Sequence, residues 1–312
     1  MNTQHQIKAI GELHADYIAH TAVTDEVCYE WGRILPTTFG LNLRPVLPGE
    51  TVMLMGETGS GKTALLQAIG TGAKKQPLFP FALETLFCEM ELPGVLCYER
   101  FAAMHTGVSC RDVELDYKRS MTREDNVRLA PYHAGLEHLK VCDSSRINEE
   151  ILEELIMEVY PKKFGCKPVV VCVDYIGLMN SKGNRYERAA QAAQELKRIA
   201  KATNTIMFFV AQIHRTGEDE ASHIGLHSAR GAGELEESSG VIVGVMRDEE
   251  DKGLMRLKIL KSTKDGSGAE AFCDFKGESM QITERTMKLG TTEDWIPPDD
   301  DDDDDDITGP GF

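Results

Sequence analysis

The chain has 312 residues, 41% hydrophobic and 27% charged, enough apolar material for one large core or two small ones. Its net charge of −17 is uneven: residues 293–306 hold ten acids and no base, and removing them leaves −7. An acidic fold excludes nucleic-acid binding through a broadly basic face and leaves that task to local cationic loops.

No run of eighteen apolar residues occurs, and the first residues (Met1, Asn2, Thr3, Gln4, His5) form neither a basic nor an apolar leader. Neither a membrane span nor a signal peptide is expected, and the expected compartment is the cytoplasm. The eight cysteines lie far apart, with no C-x-x-C and no zinc-ligand spacing, as suits a reducing compartment.

Residues 1–35 read as one or two helices. Ile7, Ile10, Leu13, Tyr17 and Ile18 fall near helical spacing, and a second stretch runs from a cap at Thr24 through Val27, Tyr29 and Trp31 to Ile34. Residues 36–50, rich in Pro and Gly, read as a loop leading into the main domain, residues 36–290. That domain alternates apolar β-like runs with helical patterns. The expected class is α/β, a mainly parallel sheet covered by helices on both faces. Expected strands are 51–55, 83–88, 168–173 and 205–211, followed by more antiparallel ones at 241–246, 254–260 and 269–275. Expected helices begin at Lys62 and near Gly94, run from a cap at Asn148 through Tyr160, and cover 185–202. Residues 291–312 are low-complexity acid and are expected to be disordered.

The strongest motif is Gly56, Glu57, Thr58, Gly59, Ser60, Gly61, Lys62, Thr63, a full match to G-x-x-x-x-G-K-[ST] between an apolar strand and a helix. Such a loop turns backbone N–H groups toward phosphate oxygens at a helix N-terminus. Lys62 is expected to reach the β and γ phosphates of ATP, and Thr63 to place its hydroxyl on Mg²⁺. A P-loop site needs a second, acidic magnesium partner at a strand end. Asp174 supplies it, closing the apolar run Val169, Val170, Val171, Cys172, Val173. Gln212 ends the strand at 205–211, where an amide senses the γ-phosphate. Glu89 and Glu91 both follow the strand at 83–88, where a carboxylate polarises water, and spacing alone does not choose between them.

Taken together, these segments resemble the ATPase domain of DnaB-like replicative helicases, a hexameric RecA-like family. Cys88-Glu89-Met90-Glu91-Leu92-Pro93 is similar to the family's S-L-E-M-P motif, and that phasing implies Glu91 as the catalytic carboxylate. Val173-Asp174-Tyr175 with Leu178-Met179 resembles V-V-D-Y-x-x-L-M, and Ala211-Gln212-Ile213-His214-Arg215 resembles S-Q-L-N-R. Ser228-Ala229-Arg230 and the following glutamates resemble L-R-x-S-x-x-I-E, and Arg247-Asp248-Glu249 the strand ending R-D-E. The likeness covers residues from about 40 to 285. It implies a RecA-like fold, ATP with Mg²⁺, a homo-oligomeric ring (a hexamer), and a phage or mobile-element type without the family's primase-binding N-terminal domain. By the same resemblance, residues 1–35 are either a linker helix that docks on a neighbouring subunit or a local hairpin covering the sheet.

The family's arginine finger, in K-x-R-x-G, has no arginine here. The segment reads Leu260-Lys261-Ser262-Thr263-Lys264-Asp265-Gly266, so Lys261 or Lys264 is left to supply the positive charge, without arginine's planar fork. The family grips single-stranded DNA with the loops after the magnesium and sensor strands. Lys182 and Arg185 fall in the first and Arg215 and Arg230 in the second. The acidic tail, Asp299, Asp300 and the aspartates to Asp306, then a terminal Phe312, reads as a solubilising segment or as a peptide for a replisome partner with a basic groove. The expected activity is an ATP-driven DNA helicase or translocase. The alternatives are a RecA-like recombination or repair ATPase, and a helicase-derived nucleotide-binding regulator or loader.

Overall fold

The computed structural model describes residues 9–119, 129–178, 185–212, 239–248 and 250–285. In chain order the helices are α1 (Ile10–Val27), α2 (Thr38–Asn42), α3 (Lys62–Gly72), α4 (Gly94–Thr106), α5 (Cys110–Arg119), α6 (Glu149–Glu154), α7 (Tyr160–Phe164) and α8 (Arg185–Thr203). The strands are β1 (Thr51–Gly56), β2 (Thr85–Glu89), β3 (Leu139–Cys142), β4 (Val170–Asp174), β5 (Ile206–Gln212), β6 (Val241–Arg247), β7 (Leu254–Ser262), β8 (Glu270–Lys276) and β9 (Gln281–Glu284).

They form one sheet in the order β3-β2-β4-β5-β1-β6-β7-β8-β9. Every pairing from β3 across to β6 is parallel, and β6 through β9 pair antiparallel. Alternation along a strand divides its side chains between two cores. Val52 and Leu54 of β1 join the core that holds Leu65, Leu66 and Ile69 of α3 and Phe101 of α4. Met53 and Met55 join the opposite one, with Leu152 of α6 and Leu196 and Ile199 of α8. Helices therefore cover both faces, which is why the central strands read as continuous apolar runs. All of β1, β2 and β4 is buried.

The N-terminal expectation needs correcting. One helix, α1, runs through Thr24, so no second helix begins there. After it the chain is extended: Tyr29 and Val46 exchange both backbone hydrogen bonds, at 2.9 and 3.0 Å. Trp31 lies in a short 3₁₀ turn, and both aromatic rings are buried against Phe208 of β5 in edge-to-face contact. Burying two large aromatic rings is worth several kcal/mol, roughly, and overrides a helical pattern that no cap or core face supports. The loop expected over residues 36–50 contains α2, whose Phe39 is buried against Trp31.

Asn148 is the expected cap, its side-chain oxygen accepting the Ile151 N–H at 2.8 Å. The helix it starts is not regular through Tyr160: a π turn, Leu155–Val159, intervenes before α7. Pro161 explains it, since it has no N–H for the bond one turn back. Three elements carry no clear signal in the sequence. β3 is a half-buried edge strand, β9 has four residues, and α5 buries only Val113.

No described helix is long and apolar enough to cross a membrane. All eight cysteines are free. Residues 1–8, the acidic tail to Phe312, and Lys182, Arg215 and Arg230 lie outside the described residues. Arg185 is described only as the start of α8.

Candidate nucleotide-binding site

Parallel pairing brings the carboxyl ends of β1, β2, β4 and β5 to one edge of the sheet. Three of the residues expected to act on nucleotide, together with Glu89, arrive there through the register alone. Gly56 pairs with Gln212, and Glu89 with Asp174. In an α/β sheet this edge is where ligands bind, because strand ends and helix N-termini converge on it.

The loop between β1 and α3 has the glycine requirements of a phosphate cradle. A Cβ on Gly56 would collide with the Val245 carbonyl and lie 2.7 Å from the Ser60 hydroxyl. Gly61 has φ of +96° and is the residue before α3, where no side chain caps the helix. The first N–H groups of α3 are therefore directed at whatever lies beyond the loop, with the helix dipole behind them. Lys62 is 5% exposed, and its ammonium donates to the Glu57 carbonyl and, at 3.5 Å, to the Ser60 hydroxyl. Burial pulls its pKa down to about 8, against the opposing pull of Asp174, Glu57 and Glu91.

Asp174 and Glu89 are each 1% exposed. Burial pushes Asp174 up to about 7, with the neighbouring Glu89 adding to the rise; the Thr63 hydroxyl, hydrogen-bonded to Asp174, opposes it. Asp174 Oδ2 has no hydrogen-bond partner. A buried carboxylate oxygen left unpaired is costly, and a divalent cation with its waters is the group that would satisfy it. The donor set of Thr63 hydroxyl and Asp174 carboxylate thus fits magnesium. Among the described residues no three His, Cys, Asp or Glu side chains converge on a metal position, so nucleotide phosphates would have to complete the coordination.

Glu89 and Glu91 separate cleanly. Glu89 is the last residue of β2, and its Oε1 accepts the N–H groups of Glu91 and Leu92, both at 3.0 Å. Burial pushes Glu89 up as well, partly offset by those two N–H groups and by the charge of Arg100 on α4. Glu91 is exposed, and its charge acts on both Lys62 and Asp174. Arg100 was not legible in the sequence as a site residue, since a helix of unknown placement carries it.

Lys261 and Lys264 sit elsewhere. β7 runs antiparallel to β6, with Arg247 opposite Met255 near the P-loop edge and Ile242 opposite Lys261 toward the other edge. Lys264 lies beyond β7 and donates to Glu50 Oε2 at 2.8 Å and to the Pro45 carbonyl at 3.1 Å. Neither lysine belongs to its own chain's phosphate cradle.

Residues 42–283 match the DnaB-like helicase C terminal domain. The chain belongs to the DnaB-like helicase C-terminal domain family. The solved structure titled "ATPase Domain of G40P" superposes with a TM-score of 0.71 at 14% identity, covering 90% of this chain and 100% of that one. A second, "The Structure Of A DnaB-Like Replicative Helicase And Its Interactions With Primase", gives 0.67 at 15% identity, covering 90% and 68%. No curated protein sequence matches the chain. At these identities the structures establish a shared RecA-like fold, and membership of the DnaB-like family places the chain in the replicative helicase class.

Proposed function

We propose that this DnaB-like domain hydrolyses ATP to drive movement along single-stranded DNA as a ring, a hexamer, in replication. The observation that carries the reading is Glu91, exposed and acting electrostatically on both Lys62 and Asp174. Lys62 and the N–H groups of residues 57–63 bind the phosphates, and Thr63 and Asp174 hold the cation side. Magnesium, when bound with the nucleotide, neutralises charge on the phosphates. Glu91 accepts the proton of the attacking water. Gln212, paired with Gly56 at the P-loop, transmits the state of the γ-phosphate to the segment that follows β5.

Lys182 and Arg185 after β4, with Arg215 and Arg230 after β5, are assigned to DNA phosphates. A neighbouring subunit's Lys261 or Lys264 completes the charge at the γ-phosphate; Lys264 does so only by releasing Glu50. Ile10, Leu13, Tyr17 and Ile18 are exposed on α1, which suits a helix docking on the next subunit better than one covering its own sheet. The acidic tail ending in Phe312 engages a replisome protein through a basic groove.

The test is ATP turnover with and without single-stranded DNA, for the intact chain and for Glu91→Gln. DNA stimulation is expected, with a loss of about 10²–10⁴-fold in the variant. Turnover that is low, indifferent to DNA and unchanged by Glu91→Gln would favour a nucleotide-binding regulator instead.

A further inference from the structure

The site holds a buried acid that the mechanism above does not use. Glu89 ends β2 directly opposite Asp174 on β4, and both carboxylates are 1% exposed. In-register residues of parallel neighbours project to the same face, so the two acids share one environment. Glu89 Oε1 is occupied by the N–H groups of Glu91 and Leu92. Glu89 Oε2 is buried with no partner, and so is Asp174 Oδ2. Two adjacent carboxylates, each with an orphaned buried oxygen, are unfavourable by desolvation and by mutual repulsion.

Arg100 of α4 contributes positive charge near Glu89 but makes no hydrogen bond to Oε2. A hydrated divalent cation would satisfy both oxygens together, its waters donating to each.

We propose that Glu89 is a second acidic partner of the cation, accepting a hydrogen bond from a metal-bound water through Oε2 while Oε1 sets the turn that presents Glu91. Glu89 is thereby a positioning residue for both the cation and the base. It makes the cation side of this site doubly acidic, and the nucleotide complex binds divalent ions more tightly than Asp174 alone would allow. The inference rests on the nucleotide–magnesium reading of the site but not on turnover or DNA.

The experiment is Mn²⁺ binding to the full chain in the presence of saturating ADP, followed by the loss of the free-Mn²⁺ electron paramagnetic resonance signal. Glu89→Gln keeps an oxygen for the Glu91 and Leu92 N–H groups and keeps side-chain volume, but puts an amide NH₂ in place of Oε2. Its Mn²⁺ affinity is expected to fall by about tenfold to a hundredfold, with ADP affinity in EDTA unchanged. Glu89→Ser, which removes the carboxylate altogether, is expected to fall similarly. Wild-type Mn²⁺ affinity in Glu89→Gln would overturn the proposal, and so would an equal loss of ADP affinity in EDTA, which would mark a role in folding of the loop. Asp174→Asn separates the two readings. If neither Asp174→Asn nor Glu89→Gln weakens Mn²⁺, the nucleotide–magnesium assignment itself fails. If only Asp174→Asn does, that assignment stands and Glu89 is excluded.

Discussion

Replacing Lys264 by methionine asks whether that residue braces its own chain. Its ammonium joins Glu50 Oε2 at 2.8 Å and the Pro45 carbonyl at 3.1 Å, tying the end of β7 to the segment before β1, 214 residues away. Glu50 also accepts the Leu47 N–H at 2.8 Å, so three parts of one turn depend on this pair. The two side chains are 20% and 34% exposed, less than an ordinary surface pair and far from a fully buried one. A charge-assisted hydrogen bond lost from a buried site costs about 1.5–3 kcal/mol, and an exposed pair about 0–1. The expected loss of stability is therefore about 1–2 kcal/mol. Methionine retains most of the aliphatic stem, so the loss reports on charge more than on packing. With a urea slope of about 3 kcal/mol/M, the midpoint is expected to fall by roughly 0.3–0.7 M. A cycle with Glu50→Gln is expected to give a coupling of about 1 kcal/mol. Zero coupling with an unchanged midpoint would refute the brace, and loss of ATP turnover in that same variant would assign Lys264 to the neighbouring subunit's site.

Two further outcomes follow from the same geometry. Gly61→Ala must hold a Cβ at φ of +96° and push aside the Met255 methyl, at a cost of about 1–2 kcal/mol. The rise in melting temperature on adding ATP with Mg²⁺ is expected to vanish in this variant, and a wild-type rise would show that the cradle tolerates the side chain. His138 is 4% exposed, with Nε2 3.0 Å from the Gly70 carbonyl, and burial lowers its pKa below the ordinary histidine value. The unfolded chain then takes up its proton first as pH falls below about 6.5, so stability is lost on acidification. Between pH 7.5 and pH 5 the wild type is expected to lose more stability than His138→Gln in urea unfolding. Equal losses would remove His138 from the acid sensitivity.

The α/β class, and the places of the glycine loop, Asp174 and Gln212 at strand ends, were legible in the sequence because each is a local pattern: a glycine spacing, or a polar residue closing an apolar run. The choice between Glu89 and Glu91 came from the likeness to the S-L-E-M-P motif alone, and the structure adds that Glu91 is exposed while Glu89 is buried. The later antiparallel strands at 241–246, 254–260 and 269–275 were visible by the same alternation, within one or two residues of β6, β7 and β8.

Which strands lie side by side is a different kind of information. Alternation tells which face a residue occupies, but nothing local says that β2 neighbours β4, or that Glu89 therefore meets Asp174. The same holds for Lys264 with Glu50, and for Tyr29 and Trp31, whose helical spacing gave way to Phe208 nearly 180 residues on. A short-range pattern is decided by backbone preference and periodicity, both of which are written in consecutive residues. Pairings across a sheet are decided by burial summed over the whole chain, and only the folded structure carries out that sum.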